Sequence, residues 1–288
     1  MQPNEDMMKL FWYFVNSRQD IWYKRFVLKQ PAPWTDDEIL RKNKFTNIMR
    51  ILDRNTQYFV NNILIDEQSE DETYDDWNKE VLFNIFVFRI FNRIDTYAEI
   101  GWQKIETFDI KDLSKILHEK EEKDGKSVFC LAYMTTGVHF GGNKNKIDSY
   151  LWVLNNIHNK IDFIYAKLKD SKYMQQDWNY LKSFAGIGGF LAQQILVDVS
   201  YTQIVKYDND QWTWSGNGSL LGISYLFNDK VDYLDALKYL RDDQKKYLKD
   251  FHYDIPIPKN IKHARGFISL NDIENCSCEF SKFVKLKN

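Results

Sequence analysis

The sequence predicts a mainly α-helical protein, and three observations carry that prediction. Apolar residues recur at helical spacing along most of the chain, and Val81–Arg93 is the strongest such run. Convincing alternation of the kind that marks β-strands is lacking. Gly186, Gly188 and Gly189 lie between two helical patterns, which predicts a helix, a tight turn and a second helix over Leu181–Val199. We expect one compact helical domain over residues 1–288, organised around the segment at about 178–228.

The composition bounds the class of protein. Of the 288 residues, 44% are hydrophobic, and 20 Phe, 17 Tyr and 9 Trp supply ample material for a core. No apolar run approaches the ~18 residues of a membrane span, and the N-terminus has no signal-peptide pattern. We therefore expect a cytoplasmic protein that does not bind a membrane. Cys276 and Cys278 are too close for an ordinary disulfide, and four cysteines would be needed for an iron–sulfur cluster. The five histidines show no zinc spacing, so we predict no metal and no cofactor.

The charge is unevenly distributed although its net value, −2, does not indicate a nucleic-acid partner. Residues 15–60 hold nine Lys and Arg against five acids, and residues 256–288 hold six against three. Residues 66–80 hold eight acids against one lysine. This segregation is compatible with a basic face for DNA phosphates, and equally with ordinary solvated faces.

Several helices are predicted before the glycine cluster. Met7–Lys29 forms an aromatic-rich helix in which arginines share the apolar side, and Phe45–Asn62 forms an amphipathic helix. Asp66–Glu80 has no periodicity and is expected to be a surface loop. Val81–Arg93 is apolar enough to be a central buried helix, and Asn92 at its end is either a cap or a group that faces a cavity.

The remainder of the chain is also predicted to be largely helical. Asp112–Lys126 is loosely helical, Ile147–Leu168 forms an amphipathic helix, and another helix begins near Leu220. Tyr233–Lys249 forms a charged surface helix. The C-terminal tail is expected to be irregular.

The glycine cluster suggests an anion site. Glycines at such a turn leave backbone N–H groups bare at a helix N-terminus, where they suit a DNA phosphate. The alternative is a helix–helix corner whose glycines serve close packing. The form apolar-x-Gly-Ile-Gly, followed by an apolar helix, resembles the helix-hairpin-helix of DNA base-excision glycosylases.

That resemblance implies a catalytic aspartate a fixed distance after the hairpin. Asp208 and Asp210 lie 20 and 22 residues after Gly188 and match this position, and Asp198, ten residues after it, is a competitor. Members that also cleave the strand carry a lysine where this chain has Phe190. The resemblance therefore implies a monofunctional enzyme.

A wider resemblance extends from about Phe11 to Phe283. It rests on these stretches: Pro33-Trp-Thr-Asp-Asp, Phe45-Thr-Asn-Ile-Met-Arg-x-Leu-Asp-Arg, Phe88-Arg-Ile-Phe-Asn-Arg, Ala132-Tyr-Met, Gly186-Ile-Gly-Gly-Phe-Leu-Ala-Gln-Gln and Glu274-Asn-Cys-x-Cys-Glu-Phe. The chain resembles the α-glutamyl/putrescinyl thymine pyrophosphorylase family, also called the helical domain of 5-hydroxymethyluracil DNA kinases. One departure is Gly216-Asn217-Gly218, where the family has Gly-Pro-Gly; Asn tolerates turn conformations, so the shape is expected to persist.

The resemblance implies an enzyme acting on a flipped, 5-substituted pyrimidine in double-stranded, phage-type DNA, in a phage modification pathway or a host antiviral defence. The leading hypothesis is excision of the modified base by a DNA glycosylase, with one carboxylate stabilising the developing charge on the sugar. The alternative is transfer, in which an amino acid or polyamine replaces the pyrophosphate of a modified hydroxymethyluracil. A second alternative is a non-catalytic DNA-binding module. No G-x-x-x-x-G-K-[ST] loop occurs, so phosphorylation by this chain is not expected.

Candidate site residues follow from these patterns. The predicted DNA-binding residues are Arg18, Lys24, Arg25, Arg50, Arg54, Lys144, Gly186, Gly188, Gly189, Gly216 and Gly218. The predicted base pocket consists of Trp34, Asn47, Asn92 and Tyr133.

Overall fold

The structure, a computed structural model, describes residues 1–64, 73–130, 140–253, 255, 257, 261–263 and 266–287. Within these ranges the elements are helices, and the β-structure consists of one isolated bridge between Pro3 and Phe227. The mainly α prediction is confirmed. None of the described helices has the length and apolar character that crossing a membrane requires.

The described α-helices follow one another along the chain. They are α1 (Glu5–Trp22), α2 (Glu38–Lys42), α3 (Arg54–Asn62), α4 (Tyr74–Phe91), α5 (Ile94–Ile100), α6 (Ile110–Asp124), α7 (Lys146–His158), α8 (Ile161–Leu168), α9 (Met174–Lys182), α10 (Gly189–Ser200), α11 (Asn217–Leu226), α12 (Tyr233–Tyr247) and α13 (Leu270–Lys287). A π-helical turn extends α1 over Tyr23–Val27, and Arg50–Leu52 and Phe140–Gly142 form 3-10 turns.

The described chain divides into two units. The first unit contains residues 1–53, 209–257 and 263–288, and the second contains residues 54–208 and 258–262. Each unit is discontinuous in sequence. The single domain predicted for residues 1–288 stays a prediction.

The first unit is built around α13. This helix packs against α11, α12, α1 and α2, and its apolar side chains are buried. The irregular tail predicted for this region is therefore wrong, because α13 is an 18-residue helix. Gly222 permits the close approach of α11 to α13, since a Cβ at this position would lie 1.9 Å from the Ser277 carbonyl oxygen.

The segment before α3 is not α-helical, contrary to the amphipathic helix predicted over Phe45–Asn62. Polar side chains of α13 bind its backbone instead. The Thr46 N–H donates to Glu279 Oε2 (3.2 Å), and the Arg50 N–H donates to Asp272 Oδ1 (2.8 Å). These long-range bonds replace the local ones that a helix would make, so only residues 54–62 become α-helical.

The second unit surrounds α4, which confirms the buried helix predicted over Val81–Arg93. The residues from Val81 to Phe91 are all buried, because α7, α8 and α10 pack against this helix. The helix begins earlier than predicted, since Thr73 caps it by accepting from the Asp76 N–H (3.1 Å). The surface loop predicted over Asp66–Glu80 is therefore wrong for residues 74–80, and residues 65–72 lie outside the described part.

Two further predictions for the second unit have different outcomes. The helix predicted over Ile147–Leu168 is two helices, α7 and α8, separated at Asn159 and Lys160. The predicted helix, turn and helix over Leu181–Val199 are present as α9 and α10. The narrower glycosylase-like fold stays a prediction.

Candidate functional site

The turn between α9 and α10 contains the glycine cluster. Gly186 has a φ of +85°, and a Cβ there would lie 2.3 Å from Val153 Cγ2, so both conformation and packing require glycine. Gly188 is exposed and occupies the N-cap of α10, where no side chain caps the helix. Close packing thus accounts for Gly186. Phosphate binding by Gly186, Gly188 and Gly189 stays a prediction.

Asp198 lies in the interior of the second unit. It is fully buried on α10, and Arg89 on α4 binds both of its carboxylate oxygens, with Nη2 to Oδ1 at 2.9 Å and Nε to Oδ2. Arg89 is itself 4% exposed. The carboxylate therefore serves as the counter-ion of a buried guanidinium.

Asp210 belongs to the first unit and binds two groups there. Its Oδ1 accepts from the Leu270 N–H (2.8 Å) at the start of α13, and its Oδ2 accepts from Arg241 Nη1 (2.9 Å). These contacts make Asp210 an N-terminal cap for α13. The helix that follows Asp210 in the chain, α11, begins only at Asn217, so the aspartate does not lie beside its start.

Asp208 belongs to the second unit, next to Lys262. Burial lowers the pKa of Lys262, and the Asp208 carboxylate opposes that shift. The Lys262 ammonium also donates to the Val205 carbonyl oxygen (2.6 Å). Asp208 thus helps to keep a half-buried lysine charged. A catalytic role for Asp208 or Asp210 stays a prediction.

A pocket of about 740 Å³ in the first unit collects several predicted DNA-binding residues, and we call it the basic pocket. Its described lining carries no carboxylate, and its charged and aromatic members are Arg18, Arg25, Trp34, Arg41, Lys44 and Phe45. The Arg25 guanidinium lies 5.1 Å from the Trp34 ring centroid, and Arg18 Nη2 donates to the Phe45 carbonyl oxygen (2.9 Å). Burial lowers the pKa of Arg18. Such a pocket suits an anionic ligand that carries a ring.

Other predicted contact residues are not among those that line the basic pocket. The Lys24 ammonium pairs with Asp20 (2.7 Å), and Arg50 is only 5% exposed. Asn47 Nδ2 donates to the Leu52 carbonyl oxygen (2.9 Å), which stabilises its own turn. Lys144 is exposed ahead of α7.

The remaining predicted site residues are two glycines of α11 and its N-cap, and one tyrosine. Gly216 is the N-cap of α11, and Gly218 packs against α13, because a Cβ there would lie 2.5 Å from Cys278 Sγ. Tyr133 lies outside the described residues. DNA or base binding by these residues stays a prediction.

The second unit contains a pocket of about 750 Å³ at the C-terminal end of α4, and we call it the amide pocket. Its lining residues are Arg54, Asn55, Asn92, Arg93, Ile94, Asp95, Phe129 and Cys130. Asn92 is the C-cap of α4, with left-handed backbone angles (φ 48°, ψ 34°), so it is both a cap and a cavity residue. The helix end thus turns a polar side chain towards the pocket.

The orientation of the Asn92 amide is determined by its neighbours. Arg89 Nη1, which can only donate, lies 2.8 Å from Asn92 Oδ1, so the oxygen and not the nitrogen faces the arginine. Asn55 Nδ2 donates to the Asn92 carbonyl oxygen (2.7 Å). In the described part of the chain, the buried Asn92 Nδ2 has no hydrogen-bond partner. Asp198, through Arg89, thus fixes an amide with an unused N–H donor on a residue that lines the pocket.

The two arginines of the amide pocket differ in whether a carboxylate already binds them. Arg93 donates from Nε to Asp95 Oδ1 (2.8 Å), and this bond lowers the pKa of Asp95 to about 2. Arg54 is exposed and forms no ion pair with any residue that the structure describes. The pocket therefore offers one guanidinium already paired and one available for a ligand.

Cys130 contributes a thiol to the same pocket. Its N–H donates to the Phe91 carbonyl oxygen (2.8 Å), which anchors the residue beside the end of α4, and its side chain is half-buried. Cys130, Arg89, Arg41 and Lys44 are pocket or supporting residues that are not among the site residues predicted from the sequence. The available signal was Arg89 itself, a charge three residues before Asn92 within an apolar helix.

The described residues contain no cluster of His, Cys, Asp and Glu that suits a metal ion. The described residues form a mainly helical protein with two pockets, each lined by arginines and at least one aromatic side chain. The chain belongs to the family described as the helical domain of 5-hmdU DNA kinase, whose family model matches residues 5–288. The resemblance to that helical domain is thereby confirmed.

A curated relative extends this result. The 5-hmdU DNA kinase of Bacillus phage SP10 is 26% identical over 290 residues, which cover 94% of this chain and 44% of the relative. The chain thus spans less than half the length of that relative. No solved structure matches it. These matches do not test the two finer predictions, membership of the pyrophosphorylase family and of the helix-hairpin-helix glycosylases, which stay predictions.

Proposed function

We propose that this chain acts on a base derived from 5-hydroxymethyl-deoxyuridine in DNA, and that it replaces a phosphate-bearing group on the 5-methylene carbon with an amine. The family and the name of the phage relative support the choice of base. The observation that carries the proposal is the unpartnered, buried Asn92 Nδ2 in a pocket shared with Arg54.

The amide pocket has the groups that a phosphorylated pyrimidine requires. A buried donor without a partner costs about 1–3 kcal/mol, and a uracil carbonyl oxygen that accepts from Asn92 Nδ2 would recover that cost. The Arg54 guanidinium suits the oxygens of the leaving group, since charge-assisted bonds to phosphate are strong. The base reaches such a pocket only after it leaves the duplex stack.

Transfer suits the pocket better than excision does. Excision relies on a carboxylate near the sugar, yet Asp198 is bound by Arg89, and Asp210 by Arg241 and Leu270. In the described lining of the amide pocket the carboxylate is Asp95, and Arg93 binds it. The relative's name points to the exocyclic 5-hydroxymethyl carbon rather than to the glycosidic bond.

The test uses duplex oligonucleotides that carry one 5-(pyrophosphoryloxymethyl)-deoxyuridine, incubated with the protein and either glycine or putrescine. Nucleosides are then released enzymatically and identified by mass spectrometry. We expect a nucleoside with the amine on its 5-methylene carbon, and inorganic pyrophosphate in equal amount. An abasic site would replace transfer with excision, and binding without any change in the DNA would identify a non-catalytic module.

Asn92→Ala tests the pocket itself. We expect product formation to fall by about 10²–10³-fold, the range for loss of a positioned hydrogen-bond donor. Asn156→Ala is the matched control and should leave the rate unchanged, because this half-buried side chain of α7 donates to the Trp152 carbonyl oxygen and does not line the amide pocket. Equal rates for the two variants would remove the amide pocket from the reaction.

A further inference from the structure

We infer that Cys130 is a covalent nucleophile that adds to C6 of the pyrimidine ring, an inference that rests on the proposed transfer reaction. Cys130 and the unpartnered Asn92 amide line the same pocket at the end of α4. The Cys130 N–H bond to the Phe91 carbonyl oxygen fixes the thiol-bearing residue next to Asn92. A nucleophile and a hydrogen-bond donor thus line one pocket at the end of α4.

Cys130 differs from the other two cysteines in its surroundings. Cys276 is 1% exposed in the first unit, and burial raises its pKa well above the ordinary value. Burial also raises the pKa of Cys278, to about 11. Both therefore remain neutral thiols. Cys130 is half-buried, and its side chain lines a cavity large enough for a pyrimidine.

The chemistry of a 5-substituted uracil explains why these two groups belong together. The direct loss of a leaving group from the 5-methylene carbon is slow while C5=C6 is conjugated with the C4 carbonyl. Addition of the Cys130 thiolate to C6 breaks the C5=C6 π bond and moves an electron pair onto the C4 oxygen, which gives an enolate. Asn92 Nδ2 is a donor that can bind that oxygen in a site from which bulk water is displaced.

The following steps balance with an amine as the single co-reactant. The enolate re-forms the C4 carbonyl and expels pyrophosphate, which leaves with the electron pair of the C–O bond, so an exocyclic C5=CH2 bond forms. A primary amine adds to that CH2 group and loses one proton to solvent, which regenerates the enolate. The enolate then expels the Cys130 thiolate and restores C5=C6. No oxidation or reduction takes place.

The hydrogen bonds that hold the Asn92 side chain suit it to stabilise the enolate oxygen. The amide is held by Arg89, and Arg89 is held by the buried Asp198, so the donor has little freedom to rotate away from the pocket. A pre-oriented donor stabilises a developing oxyanion without reorganisation at the moment of reaction. The Arg54 guanidinium lines the same pocket and can balance the negative charge of the leaving group, whereas Arg93 is paired with Asp95.

The experiment withholds the amine. The full chain is mixed with the oligonucleotide that carries 5-(pyrophosphoryloxymethyl)-deoxyuridine, quenched in acid, and analysed by denaturing electrophoresis and intact mass. We expect an adduct with the mass of protein plus oligonucleotide minus pyrophosphoric acid, and peptide mapping should locate it at Cys130. Addition of putrescine before the quench should convert the adduct to product.

Cys130→Ser and Cys278→Ser are compared under the same conditions. We expect Cys130→Ser to bind the oligonucleotide as the wild type does, but to lose the adduct and at least ~10²-fold in product formation. Cys278→Ser should behave as the wild type. Because a variant can misfold, the wild-type Cys130 thiol is also alkylated with iodoacetamide, and the oligonucleotide should protect it.

The outcomes separate the two proposals. Product formation by the wild type together with full activity and no adduct in Cys130→Ser overturns the covalent step and leaves the proposed transfer intact. A wild type that makes neither product nor adduct with glycine or putrescine overturns the proposed transfer. An adduct that maps to another residue also overturns the assignment of Cys130.

Discussion

Arg89 on α4 and Asp198 on α10 form a bidentate ion pair in the interior of the second unit. Their side chains are 3% and 0% exposed. A buried charge that loses its partner costs far more than a surface pair contributes. The same Arg89 guanidinium also orients Asn92 through Nη1. The pair thus joins the stability of the second unit to the geometry of the amide pocket.

Asp198→Asn should destabilise the protein and weaken transfer together. Loss of the carboxylate leaves Arg89 buried without a counter-charge, and we expect the free energy of unfolding to fall by about 3–5 kcal/mol in urea titrations. Asp162→Asn is the control, because Asp162 is 78% exposed where it pairs with Lys79. An Asp198→Asn variant with the stability and the activity of the wild type would overturn this role of the ion pair.

Asp210→Ala should affect stability without affecting the reaction. The substitution removes the cap of α13 and the partner of Arg241, and we expect a loss of about 1–2 kcal/mol in the free energy of unfolding. Product formed per folded molecule should stay within about twofold of the wild type. If Asp208→Asn or Asp210→Asn abolished product formation in a folded protein, the hairpin spacing would have identified the catalytic carboxylate after all.

Arg25→Glu should weaken DNA binding in a salt-dependent way. The basic pocket carries no described carboxylate, so reversal of one charge there removes a phosphate contact and adds repulsion. We expect the slope of log affinity against log salt to fall by roughly one unit for each lost contact. Lys287→Glu, an exposed change in the last turn of α13, is the control. A slope equal to that of the wild type would remove the basic pocket from the DNA-binding surface.

Glu274 should make stability depend on pH. Burial raises its pKa to about 7, against hydrogen bonds from Gly216 and Ser219 that lower it. Because the folded-state pKa is the higher one, this group's contribution to stability is complete below its ordinary pKa and declines as the pH rises towards 7. Glu274→Gln should therefore gain about 3 kcal/mol relative to the wild type between pH 4 and pH 8.

The measurement for Glu274 is chemical denaturation of both proteins at several pH values. Glu106→Gln, at an exposed position, is the control and should follow the wild type throughout. Parallel pH profiles for Glu274→Gln and the wild type would show that the carboxyl group titrates normally in the folded protein.

Local patterns predicted much of the helical structure. The apolar run that became α4 and the glycine cluster between α9 and α10 were identified correctly, because periodicity and turn residues act over a few residues. The errors fell on residues 45–53 and 74–80, on the break between α7 and α8, and on α13. Thr46 and Arg50 donate to side chains more than 200 residues away in sequence, so no local pattern indicated their conformation.

In the candidate site, too, local sequence patterns predicted some features and tertiary contacts decided the others. The sequence alone determined that the chain is mainly helical, that Asn92 ends a buried helix, and that Arg18, Arg25 and Trp34 lie in a basic region. Only the tertiary structure decided that Asp198 neutralises Arg89, that Asp210 caps α13, and that Cys130 shares a pocket with Asn92. The physical reason is that periodicity and capping depend on neighbours in sequence, whereas the partner of a buried charge depends on which helices pack together.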